Sequence, residues 1–89
     1  MALMIIQHPV ADYNTWRIAY NAAETIRARH GCTGERVLRA CDDNTQLTIL
    51  HEFPTTEAAQ SFAADPDLPK AMEAGGVQGP PDIAFTTDA

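Results

Sequence analysis

The chain has 89 residues, enough for one small domain. With 45% hydrophobic and 20% charged residues it excludes a disordered chain, and twelve acidic against six basic side chains, a net charge of −6, disfavour nucleic acid or an anionic membrane as partner. Two cysteines, Cys32 and Cys41, are too few for the disulfide framework of a small secreted domain, and they read as ordinary thiols.

Leu3 to His8, bounded by Pro9, is short and apolar and reads as a first strand. The apolar run there falls far below the roughly 20 residues that cross a bilayer. No basic leader precedes it, so the expected location is the cytoplasm. Asp12 caps a predicted helix running to about His30, with Gly31 as its C-terminal cap. Tyr13, Trp16, Tyr20 and Ala23 recur there at helical spacing and make one bulky aromatic stripe.

Glu35 to Cys41 reads as a second strand, Asp42-Asp43-Asn44 as a hairpin turn, and Gln46 to Phe53 as a third strand. In that third strand Leu47, Ile49, His51 and Phe53 alternate with Thr48, Leu50 and Glu52. A second helix covers about Thr56 to Ala64, with Ala58, Ala59, Phe62 and Ala63 on its apolar side. Asp65-Pro66 restarts a short helix that stops at Gly75-Gly76. Gly79-Pro80-Pro81 is an extended connector, Asp82 to Thr86 is the last strand, and the tail from Thr87 is expected to fray.

The order β-α-β-β-α-β is the α+β ferredoxin-like plan: a four-stranded antiparallel sheet with its helices on one face. The inner strands are apolar on both sides, and a sheet of that kind is covered on both sides. No sequence remains for a second layer. The expected cover is a second copy of the chain, giving a homodimer through the open sheet face.

Several stretches carry a family resemblance: Val10-Ala11-Asp12-Tyr13 with Trp16, Gly34 with Val37 and Arg39, Glu57-Ala58-Ala59 with Phe62, and Asp67-Leu68 with Ala71-Met72. The ending Ala74-Gly75-Gly76-Val77, with Gly79-Pro80-Pro81 and Ile83, is the most specific piece. Together they resemble the small bacterial proteins of the dimeric α/β-barrel superfamily, near the antibiotic-biosynthesis-monooxygenase group. The resemblance spans nearly the whole chain and implies the fold and the dimer. It leaves the chemistry open, because that superfamily mixes cofactor-free oxygenases, haem-degrading enzymes, isomerases, cyclases and proteins of no known activity. The haem-degrading members ligate iron through a histidine on the second helix, and Thr56 to Ala74 contains none. The Asn–Trp–Arg set of the polyketide monooxygenases does not align position by position, so no catalytic residue carries over.

Among the residues themselves, His51 stands in an apolar stripe, where an imidazole serves as a general base or hydrogen-bonding group in a pocket, or as a satisfied core or dimer-seam histidine. If Leu3 lies near Phe53, Ile5 faces His51 and His8 faces Thr48. The two histidines then point to opposite faces, roughly 10 Å apart, too far to share a zinc ion at about 2 Å. No metal or other cofactor is expected. His30 reads as a cation at a helix C-terminus. Tyr13, Trp16 and Tyr20 make either helix-to-sheet core or one wall of an apolar pocket. Arg39 alternates with Val37 and Cys41 and is either an inward anchor for an acidic or phenolic ligand or a solvated charge.

Two functions follow. The first is a cofactor-independent monooxygenase or cyclase acting on a hydrophobic aromatic or polyketide-like substrate. In it His51 or Tyr20 moves a proton, and Trp16, Tyr13, Arg39, Phe53 and Phe62 bind the substrate. The second is a non-catalytic ligand-binding or structural homodimer. An open pocket under Trp16 and Tyr20 lined by His51 or Arg39 favours the first, and a space filled by side chains favours the second.

Overall fold

The computed structural model describes residues 1–89. Its elements are β1 (Ala2–Pro9), α1 (Tyr13–Ala22), α2 (Glu24–Arg29), β2 (Gly34–Ala40), β3 (Asp43–Phe53), α3 (Thr56–Ala63), α4 (Asp67–Ala74) and β4 (Asp82–Thr87). The strands form one antiparallel sheet in the order β2-β3-β1-β4. This is the expected ferredoxin-like plan.

Four local features differ from the sequence reading. The expected single helix from Asp12 to His30 is two helices, broken at Ala23. The carbonyl of Tyr20 accepts from the Ala23 amide at 3.1 Å and from Arg27 Nη1 at 2.8 Å. The buried guanidinium thus occupies a carbonyl that a continuous helix would use for its own ladder. Asp12 still caps the first helix, accepting from the Thr15 amide at 2.9 Å. Gly31, at φ +78°, ends the second in the left-handed region that glycine enters freely. The hairpin turn is shorter than expected: β3 already begins at Asp43, after an irregularity between Arg39 and Ala40. At the other end of the chain β4 extends through Thr87, whose hydroxyl bonds the Met1 carbonyl at 3.3 Å.

The fourth difference matters most. Leu3 pairs with Glu52 rather than Phe53, Met4 with His51, and His8 with Leu47. Directly opposed residues share a face, and a one-residue slip moves a whole strand to the other face. His8 and His51 therefore point to the same side of the sheet, against the expectation. That side also carries Met4, Ile6, Leu47, Ile49 and Phe53 from the central strands, and Glu35, Val37 and Arg39 from β2. The helices cover it. Leu3, Ile5, Leu38 and Leu50 lie on the opposite, uncovered face.

The core joins Met4, Ile6, Val10, Leu47, Ile49 and Phe53 to Trp16, Tyr20, Ile26, Ala59, Phe62 and Leu68 from the helices. Full burial of a side chain such as Phe53 or Phe62 contributes about 1.5–3 kcal/mol. Below α2 a polar clamp ties the helices together. Asp65 Oδ2 accepts from Arg29 Nη1 at 2.9 Å and lies 2.7 Å from His30 Nε2, while Asp65 Oδ1 accepts from the Asp67 amide at 2.9 Å. Asp65 thus binds the first amide of α4, whose N-cap position falls on Pro66 rather than on Asp65. His30, read as a simple helix-end cation, is committed to that clamp.

Candidate functional site

Between the helices and the sheet lies a partly open cavity of about 50 Å³. Ile6, Ile49, Ile26, Phe62, Leu68, Ala71 and Met72 make it apolar, and His8, Trp16, Tyr20, Arg27 and His51 supply its polar atoms. Trp16 and Tyr20 come from successive turns of α1 and stack with ring centroids 4.7 Å apart. Helical spacing places them on one face, and the apolar floor of β1 and β3 draws that face inward. Tyr20 continues the row onto His51, at 5.9 Å between centroids and 17° between planes, and His8 lies 6.2 Å from Trp16 at the other end.

Tyr20 is the hub of the polar atoms. Its hydroxyl donates to the Glu35 carboxylate and lies 2.8 Å from His51 Nε2. The Arg27 guanidinium sits 3.9 Å over the Tyr20 ring centroid, with its Nε 3.5 Å from Glu35 Oε2. Burial, then the bond to Glu35, push the Tyr20 phenol far above its ordinary range, so it stays protonated at neutral pH. Burial, reinforced by the charge of Arg27, pulls His51 down to about 4, so its ring is neutral. Burial also lowers His8.

The protons can be counted. A neutral imidazole has one N–H and one bare nitrogen, a phenol has one O–H, and a carboxylate only accepts. Tyr20 directs its single proton at Glu35. The short contact to His51 then requires Nε2–H to donate to the phenol oxygen. His51 Nδ1 is left as a bare acceptor, and it is buried with no hydrogen-bond partner. His8 Nδ1 is likewise buried without a hydrogen-bond partner. The two residues are 2% and 3% exposed. Buried polar atoms are paired in the great majority of cases, and both of these histidines line the one apolar cavity.

The structure brings together four of the seven residues singled out from sequence: His51, Tyr20, Trp16 and Phe62 line the cavity. The other three lie elsewhere. Phe53 is fully buried behind His51, in edge contact at 6.3 Å between centroids. Tyr13 packs against Trp16 in a tilted arrangement, 6.0 Å between centroids, and does not line the cavity. Arg39 lies on the helix-facing side of β2, but its guanidinium covers the Tyr13 ring at 4.9 Å instead of entering the cavity. His8, Arg27 and Glu35 were missed. Arg27 follows Tyr20 by seven residues, two turns of an ideal helix, and Glu35 alternates with Val37. Those two spacings were the available signals.

The four-stranded antiparallel sheet with its helices on one face is a fold shared with solved structures described as antibiotic biosynthesis monooxygenases. SnoaB, a cofactor-independent oxygenase from Streptomyces nogalater, superposes with a TM-score of 0.80 at 13% identity, over 99% of this chain and 92% of its own. The monooxygenase of the ActVA-Orf6 gene of Streptomyces coelicolor, solved with nanaomycin D, gives 0.70 at 23% identity, over 99% and 87%. A protein from Bordetella bronchiseptica, provisionally described as an antibiotic biosynthesis monooxygenase, gives 0.82 at 15% identity, over 99% and 96%. At these identities the likeness is one of fold. No protein-family model and no curated protein matches the sequence.

Proposed function

We propose that the cavity is a small-molecule site and that the protein is a cofactor-independent oxygenase or cyclase acting on a hydroxylated aromatic or polyketide-like substrate. One observation carries the reading: His51, whose buried Nδ1 has no hydrogen-bond partner, lines an apolar cavity walled by Trp16 and Tyr20. A neutral imidazole so placed accepts a proton from an acidic O–H or activated C–H of the substrate. The positive charge it gains faces the phenol oxygen of Tyr20 and, one bond further, the Glu35 carboxylate. The resulting carbanion either forms a carbon–oxygen bond to dioxygen, whose second oxygen leaves as water as the phenol becomes a quinone and supplies all four electrons, or attacks a carbonyl carbon of the same substrate and closes a ring with loss of water. The fold of a cofactor-independent oxygenase supports this reading.

His51→Ala tests it. Turnover of a hydroxylated aromatic, followed as dioxygen uptake or product absorbance, is expected to fall about a hundredfold or more, while the variant stays folded. Unchanged turnover overturns the role of His51.

A second reading, a ligand-binding protein without catalysis, draws on the cavity's size. At about 50 Å³ it holds a few water molecules and is well below the several hundred Å³ of a drug-sized pocket. In either reading the assembly is a homodimer through the sheet face of Leu3, Ile5, Leu38 and Leu50, which none of the four helices covers. Light scattering at micromolar concentration tests that assembly, and a monomer overturns it.

A further inference from the structure

We infer that Glu35 is a positioning residue: through Tyr20 it decides which nitrogen of His51 carries the proton and which is left a bare acceptor in the residue that lines the cavity, and so makes the site select neutral ligands that offer a hydroxyl hydrogen. The ligand class rests on the small-molecule reading above, whereas the proton arrangement can be tested without any ligand.

Glu35 stands directly opposite His51 on β2 and so shares its face of the sheet. Its carboxylate lies between two donors, the Tyr20 hydroxyl and Arg27 Nε. Because Glu35 takes the Tyr20 proton, the phenol oxygen meets His51 only as an acceptor. The His51 proton is therefore held on Nε2, and Nδ1 is a lone pair. Without an acceptor at position 35 the phenol has one partner left, His51 Nε2. It would donate there, and the His51 proton would move to Nδ1. The cavity wall would change from acceptor to donor with no atom of the wall replaced.

The selection follows from the same count. The one cation that lines the cavity, Arg27, is spent on the Tyr20 carbonyl, the Tyr20 ring and Glu35. An anionic ligand would meet a bare lone pair and no free positive charge. A neutral hydroxyl would complete the unpaired nitrogen.

Nitrogen-15 NMR of the histidine rings tests this on the whole protein at pH 7. In the unliganded native chain His51 is expected to show a protonated Nε2 and a pyridine-like Nδ1. Glu35→Leu is expected to reverse them. Glu35→Gln, whose amide oxygen can sit between Tyr20 and Arg27, is expected to restore the native pattern. In a Tyr20→Phe background, Glu35→Leu is expected to leave the His51 pattern unchanged. A native His51 protonated at Nδ1, or a pattern indifferent to Glu35→Leu when Tyr20 is present, overturns the inference. Should Glu35→Leu fail to fold, the native spectrum together with Tyr20→Phe decides it.

Phenol, toluene and benzoate then serve as probes. Phenol is expected to bind about tenfold more tightly than toluene, and benzoate not at all; Glu35→Leu, whose wall donates, is expected to lift the exclusion of benzoate. Equal binding of phenol and toluene by the native protein overturns the selectivity. Failure of all three to bind overturns the small-molecule reading and leaves the proton arrangement to stand or fall on the spectra.

Discussion

The Tyr20 hydroxyl lies 2.8 Å from His51 Nε2, and the two rings run nearly parallel, 17° apart. A residue of α1 and a residue of β3, thirty-one positions apart in sequence, thus share one proton arrangement, and Glu35 and Arg27 complete it. Removing the hydroxyl leaves the buried His51 N–H without an acceptor. Tyr20→Phe is expected to destabilise the fold by about 1–3 kcal/mol, read as a lower urea midpoint with an unchanged slope.

Acid should unfold the protein in a defined window. His51 is held at about 4, against 6.5 when unfolded, so the unfolded chain binds the extra proton first. Stability is fully present above pH 6.5 and falls as the pH drops towards 4, by about 3 kcal/mol for this one group. His8, lowered as well, adds in the same direction. Urea midpoints measured between pH 7 and 4 check this, and His51→Leu should flatten the dependence.

A second acid window lies lower. Asp65 is held at about 2, chiefly by its bond to His30, then by the Asp67 amide and Arg29. A depressed carboxyl stabilises above its ordinary value of 3.8 and loses that contribution as the pH falls through about 2. Asp65→Asn should melt below the native protein at pH 7, and the gap should close near pH 2.

Gly75 leaves room for the indole. A Cβ there would stand 3.1 Å from Trp16 Cδ1 and 3.5 Å from the Ala19 Cβ. Gly75→Ala should press Trp16 toward the cavity and destabilise the fold by about 1–3 kcal/mol. Trp16 is the single tryptophan of the chain, so its fluorescence reports the displacement directly.

Much of this was legible in the sequence because period-two and helical spacings survive without tertiary context. They placed all four strands, the sheet plan and the Trp16–Tyr20 face. Register did not follow from them. Pairing Leu3 with Phe53 and pairing it with Glu52 both keep apolar residues on each side, since β1 is apolar at Leu3, Met4, Ile5 and Ile6 alike, and the difference turns His8 from one face to the other. The break at Ala23 was hidden too, because Arg27 reads as a solvated charge until its guanidinium is seen on Tyr20. Glu35 was hidden for the same reason: a carboxylate on a strand beside two arginines looks like surface.

The central claim is that the cavity takes a ligand through His51. Isothermal titration of the native protein and of folded His51→Ala with one hydroxylated aromatic compound tests it most directly. The account predicts saturable one-site binding to the native chain and at least about tenfold weaker binding to the variant. Equal affinity for both, or no binding to the native chain, would contradict it.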